Sequence, residues 1–206
     1  ILRHGRCMGT HDAKDLTEAS LSKLMVGRDV VLKIEKEDPN AGKPIVEIKD
    51  VVKINSYGKR VIDGLSFSIR EGEVVGIAGV EGNGQSELSD VLCGMGGFAT
   101  GDVLLNNGSI KSKTVREIRD MGLAYIAEDR MVYGVAADLS IKTNIVADRF
   151  DKKEFRKGLF MNGKKIDEVV DGYIKEFEIA CDGRNQPVRM LSGGNIQKVV
   201  VAREFT

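Results

Sequence analysis

The clearest chemical signal in the sequence is a glycine-rich stretch at residues 79–86, which reads GVEGNGQS. It follows a short apolar run at 74–78 and precedes a helical pattern. In that context glycines turn successive backbone amides toward an anion, and the helix N-terminus adds partial positive charge. The spacing of Gly79 and Gly84 matches the pattern GxxxxGK[ST], so we predict a phosphate-binding loop, called the phosphate loop below.

One position departs from that pattern, because Gln85 stands where the lysine belongs. Glutamine donates hydrogen bonds but brings no charge to the β- and γ-phosphates. We therefore expect nucleotide binding through the backbone, with weakened stabilisation of the transition state. Ser86 can still ligate Mg²⁺. The stretch is not a dinucleotide fingerprint, since the third glycine of GxGxxG would fall at Glu87, but a glycine-rich turn without a ligand remains an alternative.

A second candidate site, residues 191–195, reads LSGGN. Ser192 is a candidate N-cap, and Ile196, Val199 and Val200 give the following helix an apolar face. Such a helix start presents backbone amides and a hydroxyl group to an anion. Taken alone, this pattern is equally typical of an ordinary capped helix.

A phosphate loop followed much later by LSGGN resembles the ABC ATPase family, whose signature sequence is LSGGQ. The resemblance covers residues 45–206. It implies an α/β fold, namely a P-loop NTPase core of the ABC type with an antiparallel β subdomain and a helical subdomain at about 130–200. It also implies that the core is truncated at its C-terminal side.

Two further positions match the family. Tyr57 stands upstream of the phosphate loop at the place of the aromatic residue that stacks on adenine, although an exposed loop tyrosine is the alternative. Glu128, within YIAEDR, takes the place of the Q-loop glutamine, which touches Mg²⁺ or the attacking water; a plain acidic loop is its alternative. The resemblance thus implies nucleotide-binding residues Tyr57, Gly79, Val80, Glu81, Gly82, Asn83, Gly84, Gln85, Ser86 and Glu87, magnesium ligands Ser86 and Glu128, and signature residues Leu191, Ser192, Gly193, Gly194 and Asn195.

The residues within these motifs indicate a particular subfamily. GVEGNGQSEL, AEDR, LSGGNxQK and AREF together resemble the second cassette of tandem bacterial importers for monosaccharides and nucleosides, and LMVGR at 24–28 resembles the end of their first cassette. Sugar-type members more usually read GAGRTEL, so GNGQSEL is closer to the purine-nucleoside group linked to basic membrane proteins. The implied layout is the tail of a preceding cassette at 1–27, a linker at 28–44 and a truncated second cassette at 45–206.

The family arrangement implies partners and a mechanism. Two cassettes meet head to tail around two ATP molecules with Mg²⁺, which couples ATP binding and hydrolysis to uptake. The implied partners are the first cassette of the same polypeptide, two transmembrane permease subunits and an extracytoplasmic substrate-binding lipoprotein, with the ATPase peripheral on the cytoplasmic face of the membrane. The Asp-Glu pair and switch histidine of the family would follow Thr206, so no catalytic residue is assigned in this chain and we expect it to be inactive alone.

Composition excludes several other classes. Lysine plus arginine and aspartate plus glutamate both total 31, which gives no support to nucleic-acid binding through bulk charge. The three cysteines form no zinc-binding pattern, and we expect reduced thiols. The first residues lack the apolar core of about 7–15 residues that a signal peptide needs, so we expect none there, and no apolar run reaches the length of about 20 residues that a membrane-spanning helix needs. A soluble ABC ATPase acting on DNA or ribosomes is the second hypothesis, and an interaction module without nucleotide is the third.

Periodicity predicts the elements that position the motifs. Buried strands are expected at 74–78 and 123–127, on either side of the first helical region. Further expectations are a hairpin at 3–10, a helix from N-cap Thr17 to Gly27, strands at 46–51 and 61–69, helices at 86–93 and 116–121, a hairpin at 103–110, a mostly helical region at 130–190 and a helix from Ser192.

Overall fold

The computed structural model describes residues 1–3, 5–29, 40–158 and 160–206. The chain divides into two compact units, one formed by Ile1–Lys43 with Arg70–Val74 and the other by Pro44–Ile69 with Val75–Thr206. Most of the expected linker at 28–44 therefore lies outside the described residues, as does His4.

The first unit contains a small hairpin and one helix. Strands β1 (Leu2–Arg3) and β2 (Arg6–Cys7) pair antiparallel, and helix α1 spans Glu18–Val26. Thr17 caps α1 by accepting from the Ser20 amide, and Gly27 ends it with φ +87° in the left-handed region. The hairpin and both predicted caps are confirmed. No residue of α1 is buried, so its apolar side chains remain on the surface of the described structure.

The second unit begins with a four-stranded sheet in the order β4-β3-β5-β6. Its strands are β3 (Pro44–Ile54), β4 (Arg60–Arg70), β5 (Thr100–Leu105) and β6 (Gly108–Ser109). Strands β3 and β5 pair antiparallel, as do β5 and β6. Asn106 and Asn107 have φ values of +50° and +65°, which is the backbone of the tight hairpin turn that the sequence predicts.

Two short helices cover one face of this sheet. Helix α2 spans Gln85–Leu92 and α3 spans Val115–Asp120. Thr114 and Glu117 form a capping box at the start of α3. The core beneath them consists of Ile48, Val51, Ile62, Leu88, Val91, Val103, Leu105, Ile110 and Ile118.

The remaining part of the second unit is mostly helical, as predicted. Helices α4 (Ile141–Val146), α5 (Gly163–Glu176) and α6 (Gly193–Glu204) surround a separate core, and a small hairpin joins β7 (Arg156–Lys157) to β8 (Phe160–Met161). That core consists of Ile141, Ile145, Val146, Phe155, Ile166, Val170, Ile179, Val188, Leu191, Ile196, Val199 and Ala202. We call α6 the signature helix because it begins within LSGGN.

Two strand predictions are wrong. Residues 74–78 and 123–127 form no strand, and Val74 and Ile77 are 90% and 54% exposed. A buried strand forms only where neighbouring strands supply hydrogen bonds on its flanks. The four strands of the described sheet pair with one another and with neither of these segments.

Among the described residues, no helix is long and apolar enough to cross a membrane.

Candidate nucleotide site and signature helix

The phosphate loop is an exposed turn that leads into α2. Gly82 and Gly84 have φ values of +84° and +100°, a backbone that residues with a Cβ rarely adopt. The Asn83 amide donates to the Val80 carbonyl at 3.3 Å, which folds the loop back on itself. Within the described residues, the amides of Glu81 and Gly82 donate to no backbone carbonyl, so they remain available to an external acceptor.

Strand β4 holds the loop from one side. A Cβ placed on Gly84 would lie 2.7 Å from the carbonyl oxygen of Val61, so glycine is required both by conformation and by this close approach. Gly84 is also the N-cap of α2 and is buried, whereas its neighbours Gly82 and Asn83 are exposed. The arrangement anchors the end of the loop to the sheet and leaves the tip free.

Gln85 places its amide inside the loop. Its Nε2 donates to the Val80 carbonyl at 3.4 Å, and a Cβ on Gly79 would collide with the same nitrogen. A neutral donor therefore lies where the phosphate-loop pattern places a cation. An incoming phosphate group would have to move this side chain or accept a hydrogen bond from it. Ser86 beside it is exposed at the start of α2, where its hydroxyl is accessible.

Tyr57 lies at the tip of the turn between β3 and β4. The Asn55 carboxamide accepts from the amides of Tyr57 and Lys59, both at 3.0 Å, and this holds the turn. The Tyr57 side chain is 93% exposed, so its ring is free to stack on a planar ligand. Four residues further along, the carbonyl oxygen of Val61 approaches Gly84, so the strand that follows the turn runs beside the end of the phosphate loop.

Glu128 is exposed at the end of the irregular segment that follows α3. Directly after it, Asp129 accepts from the amides of Met131 and Val132 at 2.9 and 3.1 Å and caps a π-helical turn at Arg130–Gly134. Turns of this kind are frequent at functional sites. The described residues contain no group of three or more His, Cys, Asp or Glu side chains that could hold a metal ion by themselves.

The signature helix begins at an exposed serine. Ser192 has the extended backbone of an N-cap but makes no capping hydrogen bond; its Oγ instead accepts from Asn195 Nδ2 at 2.9 Å. Asn195 Oδ1 accepts in turn from the Ala180 amide at 2.9 Å. Asn195 thus ties the helix start to the segment that follows α5, while Ser192 and Gly194 are exposed. Leu191 is buried in the helical core.

An arginine that the sequence analysis did not assign packs on the signature. A Cβ on Gly193 would lie 2.7 Å from Arg130 Nη2, and the Arg130 Nε is buried without a hydrogen-bond partner among the described residues. Gly193 therefore makes room for a guanidinium beside the first turn of α6. The motif AEDR already contained this residue, but sequence alone does not place 130 next to 193.

Acidic and basic side chains form a partly buried network at the other end of α6. Arg119 Nη2 donates to Asp148 Oδ2 and to Glu204 Oε2, both at 2.9 Å, and Arg149 Nε donates to Asp148 Oδ1 at 3.1 Å. Burial acts to raise the pKa of Asp148, but the hydrogen bonds and charges of Arg149 and Arg119 outweigh burial and hold that pKa below its ordinary value. Sequence reasoning missed Glu204, although it stands in the quoted AREF motif.

Comparison with known proteins identifies the family. The ABC transporter family matches residues 62–206. The chain belongs to the ABC transporter family. It is 31% identical over 208 residues to the glucose import ATP-binding protein TsgD13 of Haloferax volcanii, covering 100% of this chain and 38% of that protein. It is 33% identical over 205 residues to the guanosine import ATP-binding protein NupO of Bacillus subtilis, covering 100% of this chain and 40% of that protein.

The fold agrees with this assignment. The ATP-binding cassette MJ0796, a dimer in a post-hydrolysis state bound to ADP and Pi, superposes with a TM-score of 0.62 at 21% identity. The match covers 77% of this chain and 68% of that chain. The ABC-type P-loop fold expected from the two motifs is thereby confirmed. The chain spans about two fifths of the length of the two relatives named above, so the activity of the whole protein is a matter for proposal.

The residues present fit a nucleoside triphosphate. The loop offers free amides from Glu81 and Gly82, a helix N-terminus at Gly84 and an exposed hydroxyl at Ser86. Mg²⁺ in such sites is held by one or two protein oxygens together with water and phosphate, so a small donor set suffices. Ser86 in the first turn of α2 and Glu128 after α3 are exposed residues with oxygen donors of the required kind.

Proposed function

We propose that this chain is the second ATP-binding cassette of a tandem importer ATPase, peripheral on the cytoplasmic face of the membrane, that drives uptake of a nucleoside or simple sugar. The observation that carries the proposal is the pairing of a phosphate loop that has Gln85 in place of lysine with LSGGN at the start of α6, where Ser192 and Gly194 are exposed. The import ATP-binding proteins to which the chain is 31–33% identical support the importer assignment. GNGQSEL in the phosphate loop favours a purine nucleoside over a sugar.

Two cassettes pair head to tail in the proposed assembly. The phosphate loop of this cassette binds the β- and γ-phosphates through the amides of Glu81 and Gly82, and Tyr57 stacks on the base. Bound Mg²⁺, held by Ser86 and Glu128, would neutralise phosphate charge. Gln85 supplies only a hydrogen bond where charge neutralisation is needed, so this site holds ATP or turns it over slowly.

In this assembly the cassette supplies its signature to the other nucleotide site. Ser192, Gly193, Gly194 and Asn195 face the nucleotide on the first cassette of the same polypeptide and complete the site that turns over. The proposed assembly also contains two transmembrane permease subunits and an extracytoplasmic substrate-binding lipoprotein, and it involves no nucleic acid. Ser192 acts by its exposed hydroxyl and Gly194 by its exposed position in the first helical turn.

Replacing Gln85 by lysine in the complete protein tests the asymmetry. We expect ATP turnover at this site to rise by about tenfold or more if the absent charge limits hydrolysis there, because a charge-assisted contact to phosphate is roughly twice as strong as a neutral one. The matched control is Gln85→Met, which has similar size without charge or donor. An equal turnover for the lysine and methionine variants would show that losses other than the lysine dominate.

Substrate class is tested in the assembled transporter. Uptake of radiolabelled guanosine and of glucose should differ, with the nucleoside transported and inhibited by other purine nucleosides. Transport of glucose alone would place the protein with the sugar importers. Co-purification of the complete protein with nucleic acid instead of membrane permeases would contradict the importer proposal altogether.

A further inference from the structure

The C-terminal end of the signature helix carries a carboxylate that is almost completely buried. The Glu204 side chain is 2% exposed. Its Oε2 accepts from Arg119 Nη2 at 2.9 Å and from the backbone amide of Tyr125 at 3.0 Å, while its Oε1 accepts from Arg203 Nε at 3.0 Å. One carboxylate therefore connects α6, α3 and the segment 123–128, which ends at Glu128.

Charge balance alone does not account for this residue. Burying a carboxylate is costly unless it is paired and hydrogen-bonded, and an apolar side chain would avoid that cost. Arg119 already has an acidic partner, since Asp148 accepts from the same Nη2 at 2.9 Å. Asp148 duplicates neither the bond to Arg203 Nε nor the bond to the Tyr125 amide, and of these two only the bond to Tyr125 reaches the segment 123–128.

The Tyr125 amide lies in a segment that has no strand partner among the described residues. A backbone donor in such a segment needs another acceptor, and the Glu204 carboxylate provides it. The bond is charge-assisted and shielded from water, which makes it stronger than a typical backbone bond. The segment is thus fixed to the end of α6 three residues before Glu128.

We propose that Glu204 is a positioning residue that holds the segment 123–128 in place and makes the location of Glu128 depend on the signature helix. This rests on the proposed function, in which nucleotide meets Ser192 at one end of α6 and Glu128 contributes to this cassette's own magnesium site. The 12-residue helix α6 spans about 18 Å. A shift at its exposed start would therefore move Glu204 at its buried end, and with it the segment 123–128. The two nucleotide sites are then mechanically connected through one helix.

Hydrogen exchange in the complete protein tests directly whether Glu204 holds the Tyr125 amide. We expect Glu204→Ala to speed exchange of the Tyr125 amide by about tenfold, which corresponds to the loss of one hydrogen bond. Glu204→Gln keeps an acceptor oxygen and should retain most of the protection. The control is Glu168→Ala on α5, where a 71% exposed glutamate pairs with Lys165. Unchanged exchange in Glu204→Ala would overturn the proposal.

Magnesium dependence gives a readout that general destabilisation does not move. An azido-ATP photolabel should modify peptides around 79–87 in the complete protein, and the Mg²⁺ concentration for half-maximal labelling should rise about tenfold in Glu204→Ala, as for other residues that orient a metal ligand. If that variant does not fold, Glu204→Gln should still raise the midpoint by about threefold, because its acceptor is uncharged. A lower labelled amount with an unchanged midpoint would mean a merely structural role and would overturn the proposal.

The two proposals fail in different ways. Absence of labelling in the wild-type protein at every Mg²⁺ concentration would contradict nucleotide binding by this cassette. In that case exchange of the Tyr125 amide without nucleotide still decides whether Glu204 holds the segment. Normal wild-type labelling, with the same exchange and midpoint in Glu204→Ala, would remove the positioning role alone.

Discussion

The phosphate loop and the signature helix are held by the rest of the chain in different ways. Residues 79–83 are exposed and are fixed mainly by the close approach of Gly84 to β4. The signature helix has Ile196, Val199 and Ala202 in the helical core and a buried ion network at its end. The proposed asymmetry between the two nucleotide sites would use this difference, because the firmly packed helix carries the signature and the exposed loop carries Gln85.

The largest effect is expected in the core that supports the signature helix. Phe155 is 1% exposed in the cluster shared by α4, α5 and α6, and Phe155→Ala should lower the free energy of unfolding by about 3–5 kcal/mol. Chemical denaturation followed by circular dichroism measures this. The matched control is Phe160→Ala, where the ring is 79% exposed and little change is expected. An equal decrease in the free energy of unfolding for both variants would contradict a stabilising role of the helical core.

Glycine substitutions test how the phosphate loop, the less firmly held of the two regions, is shaped. Gly84→Ala introduces a Cβ 2.7 Å from the Val61 carbonyl at a φ of +100°, so nucleotide binding should be lost. Gly82→Ala meets no atom within 4 Å and should suffer only the conformational cost of about 1–2 kcal/mol. Fluorescence titration with a labelled ATP analogue distinguishes them. Similar binding by both variants would show that β4 does not shape the loop.

A smaller and more selective effect is expected at Gly193. An added methyl group would displace the Arg130 guanidinium, which lies 2.7 Å from its position, and would disturb the first turn of α6. We expect Gly193→Ala to reduce ATPase turnover of the complete protein by about tenfold or more, as for loss of a group that stabilises the transition state. Gly172→Ala, at an exposed position of α5 where no atom lies within 4 Å of the new Cβ, is the control. Photolabelling at 79–87 should remain normal in both.

The ion network at the end of α6 should make stability depend on acidity. Because the folded pKa of Asp148 is lowered, its contribution is fully present above its ordinary value of 3.8 and is lost as pH falls from there through the folded pKa. Thermal unfolding scanned from neutral to strongly acidic pH should therefore show a loss below about pH 4. Asp148→Asn should flatten that part of the curve, and an unchanged slope would contradict the network's role.

The smallest expected effect concerns the buried thiol of Cys93 at the C-terminal end of α2. Burial, with the nearby charge of Asp90, raises the pKa of Cys93 to about 11. At pH 8 only about one thiol in a thousand is then ionised, so alkylation should be slow. The exposed Cys7 should react first with iodoacetamide, as mass spectrometry of tryptic peptides would show. Faster alkylation of Cys93 than of Cys7 would indicate that α2 opens readily.

Much of the local structure could be predicted from short patterns in the sequence. The caps of α1 at Thr17 and Gly27 and the Asn106–Asn107 turn follow from residue types whose conformational preferences are strong and local. The strands predicted at 74–78 and 123–127 depended on non-local interactions instead, because an apolar run becomes a strand only when it pairs with strands elsewhere in the fold. Likewise AEDR and AREF were visible as motifs, yet the approach of Arg130 to Gly193 and of Glu204 to Tyr125 depends on tertiary packing.

Nucleotide occupancy after turnover tests the asymmetry most directly. The complete protein would be incubated with radiolabelled Mg-ATP and quenched after several turnovers, and the nucleotide crosslinked at residues 79–87 would be analysed. The proposed degenerate site predicts intact ATP retained there while ADP accumulates at the other cassette. ADP formed at both positions at the same rate, or no nucleotide at 79–87, would contradict it.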